Sequence, residues 1–130
     1  MKKLNGVLLV DDDPTTNFYN KYLIEKMDLA ENVFEAMNGE EALKLLHSNY
    51  KDINLIFLDI NMPVMNGFEF LEEYVKLPEE IKTQLVVCML TSSSLKYDMD
   101  KVSKFNVYSY LNKPLDEEKL RGIFEQVGQF

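Results

Sequence analysis

Ile53-Asn54-Leu55-Ile56-Phe57-Leu58-Asp59-Ile60-Asn61-Met62-Pro63 decides the fold. Ile53–Leu58 is short and, apart from Asn54, continuously apolar, the pattern of a strand buried on both faces. A carboxylate directly after such a strand sits at the C-terminal edge of a sheet, where ligands and chemistry collect in open α/β folds. A second apolar run, Val7-Leu8-Leu9-Val10, also ends in acids, Asp11-Asp12-Asp13. Packing does not account for two strands that deliver carboxylates to one edge.

Working outward, apolar runs and amphipathic runs alternate five times. Strands are predicted at about 6–10, 32–37, 53–58, 84–90 and 107–111, and helices at about 14–27, 39–48, 67–77, 95–104 and 116–127. The predicted helix faces are Tyr19, Leu23 and Met27 with Tyr22 beside them; Ala42, Leu45 and Leu46; Phe68, Leu71 and Val75; Leu95, Met99 and Val102; and Leu120, Ile123, Phe124 and Val127. Asp13-Pro14 reads as an N-cap followed by proline at the first helical position. Asn38 with Glu41, and Asn66 with Glu69, have capping-box spacing. Pro78 is expected to close the third helix. Asp116-Glu117-Glu118 place negative charge at the start of the last one, where the macrodipole favours it. Such alternation implies a parallel sheet with helices on both faces.

The 130 residues fit one domain, 1–130. A net charge of −8 argues against a general phosphate-backbone binder and suits metal cations and protein partners. The one cysteine, Cys88, lies in an apolar run; it reads as a small core residue in a cytoplasmic protein. No stretch approaches membrane-spanning length. The one histidine, His47, sits late in a helix away from the acids and reads as a surface residue.

At the shared edge the strands end in Asp11-Asp12, Asp59, Thr91-Ser92 and Lys113-Pro114. Crowded carboxylates repel by up to several kcal/mol per pair at an effective dielectric of about 20. A divalent cation relieves that, and oxygen ligands with no His or Cys nearby point to Mg²⁺. Asp13 alone meets the capping need, which leaves Asp11 and Asp12 for another purpose. An acid cluster with a metal, an ammonium and a hydroxyl around one carboxylate describes a site for moving a phosphoryl group onto aspartate.

Four segments, over the whole length, resemble the receiver domain of bacterial two-component response regulators, of the single-domain, chemotaxis-regulator-like kind. They are Val7–Pro14, Leu58–Gly67, Met89–Ser93 and Tyr110–Leu115, in the family's order at the expected strand ends. The resemblance implies a flavodoxin-like strand order 2-1-3-4-5. It implies that Asp59 is the phosphoacceptor, and that Asp12 and Asp59 bind Mg²⁺ directly, Asp11 mainly through water and Asn61 through its backbone carbonyl. Lys113 would contact the acyl phosphate, with Lys113-Pro114 cis. Thr91 would report phosphorylation, Tyr110 would follow as a rotating aromatic, and Asn61 and Ser93 would tune dephosphorylation. Expected partners are a sensor histidine kinase or histidine phosphotransfer protein and a downstream protein target met by the fourth helix, fifth strand and fifth helix, with no direct nucleic-acid or membrane binding. On this reading the chain is no enzyme beyond its own aspartyl phosphorylation and dephosphorylation. One departure is Lys104-Phe105-Asn106, where the family usually has a small residue or glycine.

Two other readings compete. An aspartate-dependent phosphatase of the haloacid-dehalogenase type needs an acid two residues after the nucleophile, where Asn61 stands, and a cap domain that 130 residues do not accommodate. A receiver cut from a longer regulator would share every feature above.

Overall fold

The computed structural model describes residues 3–91, 105 and 107–128. Its elements, in chain order, are β1 (Leu4–Val10), α1 (Pro14–Lys26), β2 (Ala30–Ala36), α2 (Gly39–Asn49), a 3-10 turn (Tyr50–Asp52), β3 (Leu55–Asp59) and α3 (Gly67–Tyr74). A single helical turn, α4 (Glu79–Lys82), then leads to β4 (Val86–Thr91), β5 (Ser109–Asn112) and α5 (Glu117–Val127). The five strands form one parallel sheet in the order β2-β1-β3-β4-β5, the expected order.

Side chains alternate across each strand, so a doubly covered sheet has two cores. Leu8, Val10, Ile56, Leu58, Val87 and Met89 pack with Ala42 and Leu46 of α2 and Phe68, Phe70 and Leu71 of α3. Val7, Leu9, Leu55, Phe57, Cys88 and Leu90 pack with Leu23 and Ile24 of α1 and Leu120, Ile123, Phe124 and Val127 of α5. Burial of Cys88 among these side chains pushes its thiol up to about 12, which leaves it unreactive.

Several expectations are corrected. In α1 the buried residues are Asn17, Asn20, Leu23 and Ile24, while Tyr19 and Tyr22 are exposed. Spacing at i+4 chose the stripe through Tyr19; the real stripe is rotated because Asn17 is drawn inward by carbonyl groups at the strand ends. Helix α3 ends at Tyr74 with Val75 exposed, so Pro78 does not close it; Pro78 instead sits at the N-cap of α4. The Asn66–Glu69 capping box is complete. Asn38 caps α2, but Glu41 accepts from the Met37 N–H instead of returning to Asn38. The predicted helix at 95–104 and the departure at Lys104 and Asn106 lie outside the described residues.

Two local constraints set the loop after β3. The Gly67 N–H donates to the Ile60 carbonyl at 2.8 Å, and a Cβ on Gly67 would meet the Asp59 carbonyl oxygen at 2.5 Å. The start of α3 therefore lies directly against the backbone of Asp59. Val64, within this loop, has φ 67°, a conformation that costs a β-branched residue on the order of 1 kcal/mol or more. Gly67→Ala is expected to lower stability by about 1–3 kcal/mol through overpacking, read as a reduced urea midpoint with an unchanged slope.

Candidate functional site

Four strand ends converge on the C-terminal edge. Asp11 and Asp12 follow β1, Asp59 ends β3, Thr91 ends β4 and Lys113 follows β5. One carboxylate oxygen from each of Asp11, Asp12 and Asp59 lies within 4.8 Å of the other two. The Lys113 ammonium stands 2.6 Å from Asp11 Oδ2 and 3.1 Å from Asp59 Oδ1. Asp11, Asp59 and Thr91 are buried, while Asp12 is exposed.

Each placement has a local cause. The Asp11 N–H donates to the Ala36 carbonyl at 3.1 Å, which extends the β1–β2 ladder by one residue. The Asp13 N–H donates to Asp11 Oδ1 at 2.9 Å, and Asp13 Oδ1 accepts from the Thr15 N–H at 2.9 Å to start α1. The Lys113 N–H donates to the Thr91 carbonyl at 2.8 Å, which holds the lysine beside β4. The Lys113–Pro114 peptide is cis. The Lys119 ammonium spans this turn, donating to the carbonyls of Asn112 at 2.8 Å and Pro114 at 2.9 Å.

Formal charge at the cluster is three carboxylates against one ammonium, an excess of negative charge. Burial and the Asp11 charge raise the Asp59 carboxyl above its ordinary value, and Lys113 offsets this only in part. For Lys113 burial works against the charged form, but hydrogen bonds to Asp11 and Asp59 outweigh it, so its ammonium is held more firmly than in water. The donor set is all oxygen, crowded and underneutralised. It fits a hard divalent cation of the Mg²⁺ type.

The structure thus brings Asp11, Asp12, Asp59 and Lys113 together, with Thr91 on the adjoining strand end. Asn61 is exposed in the loop two residues beyond Asp59. Tyr110 is 44% exposed on β5, paired with Met89, while Thr91 pairs with Asn112 two positions further along. Ser93 and the lysines at 96, 101 and 104 lie outside the described residues. His47 is exposed on α2, away from the cluster. Sequence reasoning missed Asn17 and Lys119, which secure the backbone around the site. Asn17 and Asn20 at i, i+3 on the helix, in line with Leu23 and Ile24, were a signal available for the first; no signal marked Lys119.

A doubly wound parallel sheet with an acid cluster and a lysine on its C-terminal edge defines a class of phosphoacceptor folds. The family profile described as the response regulator receiver domain matches residues 7–125, and the chain belongs to that family. A two-component response regulator from Cytophaga hutchinsonii is similar over 99% of this chain and 100% of its own, with 30% identity and a TM-score of 0.88. The Vibrio cholerae chemotaxis protein CheY4 is similar over 95% of this chain and 98% of its own, with 25% identity and a TM-score of 0.82. The nitrate/nitrite response regulator protein NarL of Escherichia coli is 36% identical over 120 residues, which are 92% of this chain and 53% of NarL. The chain spans about half the length of the first curated relatives it matches. Receiver domains act as phosphorylation-controlled signalling switches, and they bind Mg²⁺ in an acidic pocket.

The charge balance predicts opposite effects for two substitutions. Because the fold raises the Asp59 pKa, the folded protein holds that proton more tightly than the unfolded chain. Stability is therefore lost as pH rises from the ordinary carboxylate value through the raised one. In metal-free buffer, Asp59→Asn should raise the urea midpoint at pH 7, with a gain that shrinks as pH falls into the carboxylate range. Lys113→Ala strands two buried carboxylates and should cost about 3–5 kcal/mol at pH 7, again less at low pH.

Proposed function

We propose that this chain is a phosphorylation switch of a cytoplasmic two-component phosphorelay, with Asp59 as the phosphoacceptor. The observation that carries this reading is the Lys113 ammonium shared between Asp11 and Asp59, with Asp12 alongside, in a chain of the receiver family.

Asp11, Asp12 and Asp59, with the Asn61 carbonyl, would hold Mg²⁺. When bound, the metal neutralises charge on the phosphoryl oxygens. The remaining work falls to the chain. An Asp59 carboxylate oxygen attacks the phosphorus of a donor phosphohistidine; the new O–P bond forms as the N–P bond breaks. The imidazole keeps the electron pair and takes a proton from water. Lys113, already charged and oriented by Asp11, pairs with the phosphoryl group as Asp59 loses its own charge to the acyl bond. The Thr91 hydroxyl, on the neighbouring strand end, donates to a phosphoryl oxygen.

The donor is a sensor histidine kinase or a histidine phosphotransfer protein. A groove lined by Thr16, Tyr19, Leu90, Lys113 and Pro114 runs from α1 to the site lysine, beside the exposed rings of Phe18 and Tyr22. It offers an approach for a protein donor. The output face includes β5 and α5, where the outward ring of Tyr110 can move inward as Thr91 shifts toward the phosphoryl group. Moving a two-state population from 1:99 to 99:1 needs about 5.5 kcal/mol of differential binding; one charge-assisted hydrogen bond with a hydroxyl contact supplies a large share. A downstream protein would read this face. A second reading, a receiver acting inside a longer regulator, rests on the half-length coverage of relatives. The mass of the native protein in cell extract distinguishes the two.

Incubation with acetyl phosphate and Mg²⁺ should add the mass of one phosphoryl group, and Asp59→Asn should abolish the addition. Undiminished modification of that variant would remove Asp59 from its role. Thr91→Ala should still accept the phosphoryl group but transmit it poorly. On beryllofluoride addition, amide shifts should reach Tyr110 in the wild type and remain near Asp59 in Thr91→Ala. Shifts that never reach Tyr110 in the wild type would contradict the switch.

A further inference from the structure

Asp11 is held at every polar group it has. Its N–H donates to the Ala36 carbonyl, its Oδ1 accepts from the Asp13 N–H, its Oδ2 accepts from Lys113, and its carbonyl accepts from Asn17 Nδ2 at 3.0 Å. The same Asn17 nitrogen reaches the Ala36 carbonyl at 3.3 Å. One side-chain amide thus joins the ends of β1 and β2 immediately below the acid cluster. Asp12, by contrast, has no hydrogen-bond or ion-pair partner for its carboxylate among the described residues.

Asn17 is 1% exposed, and its Oδ1 has no hydrogen-bond partner among the described residues. Reversing the amide would set that oxygen against two carbonyl oxygens, so the orientation is dictated by the acceptors. A buried, unpaired acceptor detracts from stability. An apolar residue of similar size would avoid that penalty on the inner face of α1. Retaining a carboxamide here is accounted for by what its nitrogen holds, the carbonyl of the Asp11–Asp12 peptide. That peptide is planar, so a bond to its oxygen orients the backbone from which the Asp12 carboxylate departs.

We propose that Asn17 is a positioning residue for the metal-binding acids: it locks the Asp11–Asp12 peptide so that the free Asp12 carboxylate is pre-set toward Asp59. This rests on the reading of Asp11, Asp12 and Asp59 as the Mg²⁺ site. Groups that orient ligands from behind commonly contribute tenfold or more to metal affinity.

The test uses the full chain with Asn17→Leu, close in size without the donor, and Asn17→Ala as a second variant. Mg²⁺ affinity is measured by calorimetric titration, folding by urea denaturation in EDTA, and acetyl phosphate reactivity as a function of Mg²⁺. The expected result is a Kd for Mg²⁺ about tenfold higher, with a cooperative urea transition retained. Phosphorylation should be slower at limiting Mg²⁺ and recover to within about twofold of wild type at saturation, a loss in binding rather than in the maximal rate. A Kd within about twofold of wild type in either folded variant overturns the proposal. So does loss of the fold in both, which would make Asn17 a structural residue. Asp12→Ala is the control. If it binds Mg²⁺ like wild type, the reading of the metal site fails; if it loses binding while Asn17→Leu keeps it, only the role of Asn17 fails.

Discussion

The Lys113 ammonium bridging Asp11 and Asp59 is the contact on which the site depends. It ties residues 102 positions apart in sequence, Asp11 and Lys113, and joins the ends of β1, β3 and β5. Two carboxylates this buried are tolerable only with a cation between them. One lysine cannot neutralise three acids, and this imbalance gives the edge its appetite for a divalent ion. Burial, together with the Asp11 charge, keeps Asp59 costly to ionise in the fold, and Lys113 offsets this only in part.

The sheet order makes that contact possible. With β1 and β3 adjacent, Asp11 and Asp59 fall side by side, and β4 brings Thr91 next to Asp59. Lys113 then needs to cross only β4 to reach both acids, and its N–H is anchored on the Thr91 carbonyl. The carbonyl of Thr91 thus fixes the lysine at the strand end next to Asp59. Thr91 therefore stands between Asp59 and β5, where Tyr110 is exposed.

Much of this was legible in the chain because strand ends are marked by strong contrasts. Apolar runs that stop at Asp11, Asp59 and Thr91 leave little choice about where those side chains go. The last helix was equally clear, since Leu120, Ile123, Phe124 and Val127 have no competing stripe. Helix α1 was misread because its inner face carries Asn17 and Asn20 while its outer face carries Phe18, Tyr19 and Tyr22. Periodicity ranks residues by hydrophobicity, and here burial follows hydrogen bonding to strand-end carbonyls instead. The i, i+3 spacing of Asn17 and Asn20 could mark a polar inner face but not the distant carbonyls that Asn17 meets, and the contribution of Lys119 depends on the shape of a turn, which residue spacing does not encode.

The close approach of Gly67 to Asp59 has a consequence for how the molecule breathes. With the Gly67 N–H bonded to the Ile60 carbonyl and no room for a Cβ, the Asp59 backbone and the first turn of α3 are coupled in any local opening. Phe68, Phe70 and Leu71 of that turn are packed into the larger body of the sheet. Asp59 is therefore tied to a well-packed unit of the fold, where local opening is costly, whereas Val64 in the adjoining loop is exposed. The Asp59 carboxylate is thus presented from a firmly held backbone, and freedom to adjust at this edge rests with the side chains around it.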